Sequence, residues 1–283
     1  MTDPLFGVFV TPANQPVHHA VDLAVVADRA GLDLVTFQDH PYQPRFHDTW
    51  TLLSYVAART SRIRVSGNVL NLPLRQPAVL ARAAASLDLL SGGRFELGIG
   101  AGGFWDAIEA MGGRRLAPGQ SVEALGEAIQ VFREIWAAGK PGGVRVNGKY
   151  YQVNGAKRGP APAHDIGIWV GAYKPRMLRL IGRSADGWLP SLGYLPGGPA
   201  ALAGLNAHID EAAAEAGRDP AAIRRLLNIS GQFGGTSQQW AEELAGLARD
   251  YGVTGFIIAT DDATTIETFA AEVAPAVRAA LSP

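Results

Sequence analysis

The sequence predicts a single (β/α)8 TIM barrel, and three observations support this prediction. Short apolar runs suited to buried parallel strands alternate along the chain with segments of helical periodicity. The 283 residues fit one domain spanning 1–283, because α/β barrels of this size form one unit and no linker divides the chain. Gly31, Gly92 and Gly252 stand where a left-handed helix cap would precede the next strand. The same alternation leaves a doubly wound open sheet as the alternative.

The strands are expected to be short and bounded by turn-forming residues, as buried parallel strands are. They are predicted at residues 5–10, 34–37, 63–70, 95–99, 166–170, 187–189, 226–230 and 256–259. The segments between them carry apolar residues at helical spacing. These helices are predicted at residues 17–30, 51–59, 77–90, 122–138, 175–183, 200–216, 238–251 and 264–281.

Residues 140–162 depart from this rhythm because they are rich in Gly and Pro. Residues 144–151 within this stretch predict a β-hairpin that turns at Asn147-Gly148. The sequence therefore predicts an insertion between the fourth helix and the fifth strand. It would cover one side of the barrel mouth or an oligomer surface.

Charge and composition narrow the class of partner. The net charge is -1 and 18% of residues are charged, so we do not expect nucleic acid or anionic membranes as partners. We expect a small-molecule substrate instead. The chain contains no cysteine, so redox chemistry would need a cofactor. The first residues lack a signal-peptide pattern and no apolar run reaches membrane-spanning length, which predicts a cytoplasmic protein.

The most informative motif is Asp39-His40, which follows the predicted strand at 34–37. Catalytic groups of α/β barrels lie at the carboxyl ends of the strands. Pro41 biases His40 toward an extended backbone, so the imidazole is expected to be held in place as a proton donor or acceptor. The alternative is a polar strand-end residue that satisfies loop backbone.

Two glycine-containing turns follow later strands. One contains Gly100, Ala101, Gly102 and Gly103, and the other contains Gly171, Ala172, Tyr173, Lys174 and Arg176. Glycines let backbone amides converge on an anion near the positive end of a helix, which suggests phosphate binding. Steric requirements of a turn, and cations that simply extend into water, remain the alternatives. The first of these turns matches neither a Rossmann nor a Walker fingerprint.

Other chemistries find little support in the sequence. Metal-binding spacings of histidine are missing, so no metal site is expected. A glycosidase pair could be drawn from Asp39 and Asp261, but it would leave the glycine turns unexplained. The aromatic residues near these turns predict an apolar cavity or else helix and core packing; they are Tyr42, Phe46, Trp50, Phe104 and Trp105.

Taken in order, the motifs resemble the bacterial luciferase-like family of flavin- and deazaflavin-dependent oxidoreductases, over nearly the whole chain. The resemblance rests on Phe6-Gly7-Val8-Phe9, Asp39-His40, Asn68-Val69-Leu70, Pro77-Ala78-Val79-Leu80-Ala81, Leu87-Asp88-Leu89-Leu90-Ser91-Gly92-Gly93-Arg94, Gly98-Ile99-Gly100-Ala101-Gly102, Pro175-Arg176-Met177-Leu178 and Ala185-Asp186-Gly187-Trp188.

The resemblance implies a TIM barrel with a tricyclic ring across its mouth. It implies that His40 acts as general acid or base, with Asp39 orienting it or contacting the cofactor. It also implies a non-prolyl cis peptide at Asn68-Val69 behind the ring. The two glycine-containing turns would hold the ribityl phosphate.

The Asp-His pair favours a deazaflavin, coenzyme F-420, over FMN as the cofactor for hydride transfer to or from a small organic substrate. The alternatives are an FMN-dependent monooxygenase served by a partner reductase, and a flavin-binding barrel without turnover. Several deazaflavin enzymes carry an acidic residue where this chain has Gly103, which puts a second catalytic carboxylate there in doubt. The resemblance also implies a homodimer.

Overall fold

Eight parallel strand positions close into a barrel in the computed structural model, which describes residues 3–231 and 235–282. The strands are β1 Leu5–Val10, β2 Leu34–Phe37, β3 Arg64–Gly67, β4 Leu70–Asn71, β5 Phe95–Gly100, β6 Val144–Asn147, β7 Gln152–Ala156, β8 Ile168–Val170, β9 Gly187–Trp188, β10 Arg224–Ser230 and β11 Gly255–Ala259. Strand β1 pairs with β2 on one side and with β11 on the other, which closes the sheet. The predicted TIM barrel is confirmed, and the open-sheet alternative was wrong.

Helices surround this sheet at the predicted places. They are α1 His19–Ala30, α2 Thr49–Arg59, α3 Pro77–Ser91, α4 Trp105–Ala110, α5 Pro118–Trp136, α6 Pro175–Ser184, α7 Ala201–Glu215, α8 Ser237–Tyr251, α9 Ala263–Thr268 and α10 Ala274–Leu281. Helix α4 was not predicted, because it is short and lies between glycine-rich segments. None of the helices in the described part of the chain has both the length and the apolar character needed to cross a membrane.

Glycine caps end three of these helices as predicted. Gly31, Gly92 and Gly252 all have positive φ, at 96°, 72° and 66°. Backbone amides at these caps bond to carbonyls of the preceding turn. These bonds satisfy groups that the helix leaves unpaired before each following strand begins.

The third barrel position is split into β3 and β4 by a cis peptide bond between Asn68 and Val69, which confirms the expectation from the family resemblance. Both parts pair with β5, so the barrel wall continues past the interruption. Gly67 allows the bend, because a Cβ there would lie 2.5 Å from the Leu70 side chain. The interruption turns residues 68–71 toward the barrel mouth, where all four line a cavity.

Strands β6 and β7 form a separate antiparallel hairpin between α5 and β8. The predicted hairpin is present, and its loop covers residues 148–151, so Asn147 pairs with Gln152 and the loop extends beyond the predicted Asn147-Gly148. Glu127 of α5 explains the difference. Its carboxylate accepts the amides of Lys149, Tyr150 and Tyr151 at 2.8 to 2.9 Å, so this stretch is held to the helix and not to a partner strand.

Apolar side chains fill both faces of the barrel wall. The larger cluster lies between the strands and the surrounding helices. A smaller cluster joins residues of five strand positions that can meet only across the barrel interior: Leu34, Trp169, Leu189, Leu226 and Ile257. These side chains fill the interior of the barrel with apolar packing.

Candidate active site

A cavity of about 300 Å³ opens at the carboxyl end of the barrel. Its wall comes from segments that follow five strand positions and from β10 itself. The lining residues are Asp39, His40, Tyr42, Asn68, Val69, Leu70, Asn71, Gly100, Ala101, Gly102, Gly103, Phe104, Gly171, Tyr173, Leu189, Ser191, Tyr194 and Asn228. The volume is at the lower end of the range found for small-molecule and cofactor sites. The structure thus brings Asp39-His40 and parts of both glycine-containing turns to one mouth.

His40 lies between two aromatic side chains in this cavity. Its ring is stacked on Tyr42 with centroids 5.3 Å apart, and Phe104 meets it edge-on at 5.1 Å. Burial lowers the pKa of His40 from 6.5, and the nearby negative charge of Asp39 only partly opposes this effect. The imidazole is therefore neutral near pH 7 and can accept a proton.

Asp39 is fully buried and is held by Arg75. Arg75 Nε donates to Oδ2 at 2.6 Å and Nη2 donates to Oδ1 at 2.7 Å, while the Asn71 amide donates to Oδ2 at 2.8 Å. All three hydrogen bonds join Asp39 to the third strand position or to Arg75 after it, and none of them joins Asp39 to the His40 imidazole. Asp39 therefore anchors the loop that carries His40. These hydrogen bonds do not orient the His40 ring directly.

Val69 explains one of the predicted glycines, Gly100, and lies close to another, Gly171. A Cβ on Gly100 would lie 2.6 Å from Val69 Cγ2, and one on Gly171 would lie 3.4 Å from Val69 Cγ1. The neighbouring Asn68 turns the other way, and its Nδ2 donates to Asn228 Oδ1 at 2.7 Å. Gly100 therefore makes room for Val69, whereas a Cβ on Gly171 would only reach ordinary contact distance from it.

The turn after β5 has an open side at Gly103. A Cβ on Gly103 would meet no atom within 4 Å, whereas one on Gly102 would lie 2.8 Å from Trp105 and 2.9 Å from Pro73. Gly102 also has a positive φ of 98°. Ala101 and Gly102 line the cavity beside Gly103, so this turn presents backbone to whatever the cavity holds.

The second glycine-containing turn lies only partly at the cavity. Gly171 and Tyr173 line it, whereas the carbonyl of Ala172 accepts a hydrogen bond from Trp188 Nε1 at 2.9 Å. Lys174 precedes α6, and Arg176 within α6 pairs with Glu123 at 2.8 Å. Ala172, Lys174 and Arg176 are outside the lining, so binding of a cofactor phosphate by them stays a prediction.

Several site residues were missed from the sequence. Asn228 interrupts the apolar run of β10, and this polar residue in a buried strand was a usable signal. Arg75 carried no such signal, because its contact with Asp39 arises only when the barrel closes. Of the aromatic residues expected in the cavity, Tyr42 and Phe104 line it, but Trp50 packs against Phe95 in the core.

Two polar atoms in the cavity wall are buried without a hydrogen-bond partner in the described part of the chain: Tyr42 Oη and Asn71 Oδ1. Buried polar groups are normally paired, so each exception calls for an explanation. A bound ligand that carries both a hydrogen-bond acceptor and a donor would satisfy both atoms. Among the described residues, no group of three or more acidic or histidine side chains could hold a metal ion.

The sequence of the chain is similar to those of known proteins. A family model described as luciferase-like monooxygenase matches residues 5–277. An F420-dependent glucose-6-phosphate dehydrogenase of Nocardia farcinica is 33% identical over 218 residues, which cover 74% of this chain and 63% of that protein. The chain thus spans less than two thirds of the length of this relative.

Solved structures share the fold at low sequence identity. An F420-dependent secondary alcohol dehydrogenase in complex with an F420-acetone adduct superposes with a TM-score of 0.84 at 18% identity, covering 97% of this chain and 99% of that one. A riboflavin lyase with modified FMN superposes with a TM-score of 0.83 at 16% identity, covering 98% of this chain and 92% of that one.

Proposed function

The chain belongs to the luciferase-like monooxygenase family, and we propose that it is an oxidoreductase that uses a deazaflavin, coenzyme F-420, for hydride transfer to or from a small organic substrate. The observation that carries the proposal is the half-buried His40 imidazole, neutral near pH 7, at a cavity that both glycine-containing turns also line. Two relatives that are F420-dependent glucose-6-phosphate dehydrogenases support the choice of cofactor.

The cavity suits the ring of such a cofactor. The turn at Gly102 and Gly103 exposes backbone on the open side of the mouth, as a close-lying ring requires. Asn71 Oδ1 is a buried acceptor without a partner, and a deazaflavin ring carries an N–H donor. We assign Asn68, Val69, Asn71 and the turn at 100–103 to its binding, and Gly171, Ala172, Tyr173, Lys174 and Arg176 to the phosphate side.

Bound there, the deazaflavin would supply a carbon centre that exchanges a hydride with the substrate. The residues of the chain handle the proton. His40 accepts it from a substrate hydroxyl during oxidation and returns it during reduction, which requires an imidazole that is neutral at rest. Asp39, fixed by Arg75, holds the loop that carries His40. Phe104 packs edge-on against His40 at the rim of the cavity.

The assembly of the protein is also proposed from the family. We expect a homodimer of single-domain chains with no nucleic-acid or membrane partner. Light scattering of the purified protein tests this expectation. A flavin or deazaflavin reductase that supplies the reduced cofactor is the further partner we propose.

Cofactor titration tests the proposed function. The purified protein is titrated separately with F-420 and with FMN while cofactor absorbance and fluorescence are followed. We expect saturable binding of F-420 and much weaker binding of FMN. Tight binding of FMN without binding of F-420 would contradict the proposal and favour the FMN-dependent monooxygenase. If neither cofactor binds, the redox assignment itself is wrong.

A further inference from the structure

The Tyr42 hydroxyl is the polar group in the cavity that the proposed function leaves unused. Tyr42 follows His40 by two residues, and its ring stacks on the imidazole at 19°. Its hydroxyl is buried and has no hydrogen-bond partner among the residues that the structure describes. A buried hydroxyl beside the general base, left without a partner, indicates a ligand atom that completes its hydrogen bonding.

The other two tyrosines of the cavity wall differ from Tyr42 in this respect. The Tyr173 hydroxyl accepts the amide of Ser191 at 2.9 Å. Tyr194 is 75% exposed, so water satisfies its hydroxyl. Burial raises the pKa of Tyr42 above 10.0, and the charge of Asp39 adds to this effect. The Tyr42 hydroxyl therefore keeps its proton and can donate it in a hydrogen bond.

The charge of the cavity wall limits what can bind. The described lining residues include no lysine and no arginine. The charge of Asp39 is matched by Arg75, and His40 is neutral near pH 7. A phosphorylated substrate would lose its hydration here without gaining a cationic partner, which is costly. Lys174 and Arg176, which are assigned above to the cofactor phosphate, lie outside the lining, and Arg75 is already paired with Asp39.

We propose that the substrate is an uncharged alcohol or carbonyl compound whose oxygen accepts a hydrogen bond from the Tyr42 hydroxyl. This inference rests on the proposed function. In the oxidation, the substrate C–H bond breaks and its electron pair leaves as hydride to the deazaflavin. The O–H proton passes to His40 and a C=O bond forms. The reduction reverses these changes, and Tyr42 keeps its own proton throughout.

Binding measurements on the deazaflavin-loaded protein test the inference. Isothermal titration is carried out with cyclohexanone, propanone, glucose and glucose 6-phosphate on wild type, Tyr42→Phe and Tyr55→Phe. Tyr55 is the matched control, because it lies on α2 outside the cavity lining. We expect Tyr42→Phe to weaken ketone binding about fivefold to tenfold, the loss of one hydrogen bond, and Tyr55→Phe to leave it unchanged.

Two further readouts separate a binding role from a structural one. Tyr42→Phe removes an unpaired buried hydroxyl, so its melting temperature should equal or exceed that of wild type. Glucose 6-phosphate should bind no more tightly than glucose. The inference is overturned if Tyr42→Phe binds ketones as wild type does, if neither ketone binds, or if the phosphate ester binds more tightly than the free sugar.

Deazaflavin titration of the same preparations keeps the two proposals apart. If wild type binds deazaflavin and any of these outcomes is seen, only the assignment of Tyr42 and of a neutral substrate is wrong. If wild type does not bind deazaflavin, the proposed function is wrong and this inference fails with it.

Discussion

The proton affinity of His40 follows from the aromatic rings around it, and this predicts a pH profile. Burial lowers the pKa of His40 below 6.5. Oxidation of an alcohol needs the neutral imidazole, so kcat/KM for oxidation should stay constant above the lowered pKa and fall as the pH drops through it. The profile is measured with the deazaflavin-loaded enzyme. An acidic limb centred above 6.5 would show that His40 is not the base.

The variant His40→Ala separates catalysis from the shape of the cavity. We expect kcat to fall by about 10²- to 10⁴-fold, the usual contribution of a positioned acid–base group. The affinity for F-420 should change little, because binding of the cofactor ring is assigned to other residues of the cavity. Kinetics and cofactor titration are compared for the same preparation. Equal losses in both would support a flavin-binding barrel without turnover.

Gly102 and Gly103 are neighbours with opposite steric demands. Gly102 has a φ of 98°, and a Cβ on it would lie 2.8 Å from Trp105, whereas a Cβ on Gly103 would meet nothing within 4 Å. We expect Gly102→Ala to lower the free energy of unfolding by about 1–3 kcal/mol and Gly103→Ala to leave it nearly unchanged. Urea denaturation of both variants tests this. Equal destabilisation would mean that the turn is tight at both residues.

At the scale of single residues, the sequence predicts which residues line the cavity better than the contacts that hold them. Asp39 and His40 were predicted because a polar pair follows an apolar strand, and both line the cavity. The partner of Asp39 is 36 residues away, so the pairing with Arg75 could be read only from the closed barrel. Asn68 and Asn228 are separated by 160 residues and meet for the same reason.

At the scale of elements, Arg75 joins three of them. It binds Asp39 after β2, follows the third strand position, and contacts Asp48 at the start of α2 at 3.1 Å. Removing it leaves the fully buried Asp39 carboxylate without its counter-charge. We expect Arg75→Gln to lower the free energy of unfolding by about 3 kcal/mol, measured by urea denaturation.

An exposed ion pair provides the control for Arg75. Arg115 pairs with Asp106 and Glu109 at the surface, so Arg115→Gln should leave the stability nearly unchanged. If Arg75→Gln is as stable as wild type, Asp39 must find another partner and the anchoring role assigned to Arg75 is wrong.

The elements themselves were largely predictable, and the exceptions have physical causes. Strands β1 and β2 have the predicted bounds, because their apolar residues form unbroken runs between turn formers. The hairpin loop at 148–151 differs, because three of its amides bond to Glu127, a helix residue about twenty positions earlier. Local turn propensity favours a tight Asn-Gly turn, and this tertiary contact outweighs it.

At the scale of the whole molecule, the two ends of the barrel have different tasks. The carboxyl end holds the cavity, whereas the amino end holds a cluster of His164, Asp88 and Glu96. His164 Nδ1 lies 2.9 Å from Asp88 Oδ1, and its Nε2 lies 3.4 Å from Glu96 Oε1. Glu96 also pairs with Arg64 at 2.5 Å, at the start of β3. The cluster ties the segment before β8 to the base of the barrel.

The cluster predicts a pH dependence of stability that leaves the active site untouched. The hydrogen bond to Glu96, and then Asp88, raise the pKa of His164 above 6.5 against the opposing effect of burial. A group with a raised pKa in the folded state contributes fully to the stability of the fold below its unfolded pKa, and the contribution is lost as the pH rises through the folded pKa.

The variant His164→Asn removes this contribution, so its deficit in unfolding free energy should be largest at acid pH and shrink above 6.5. Urea denaturation between about pH 5 and pH 9 measures it, with kcat of the folded enzyme as the control. A deficit that does not vary with pH would show that His164 acts through packing alone, and a changed kcat would show that the two ends of the barrel are coupled.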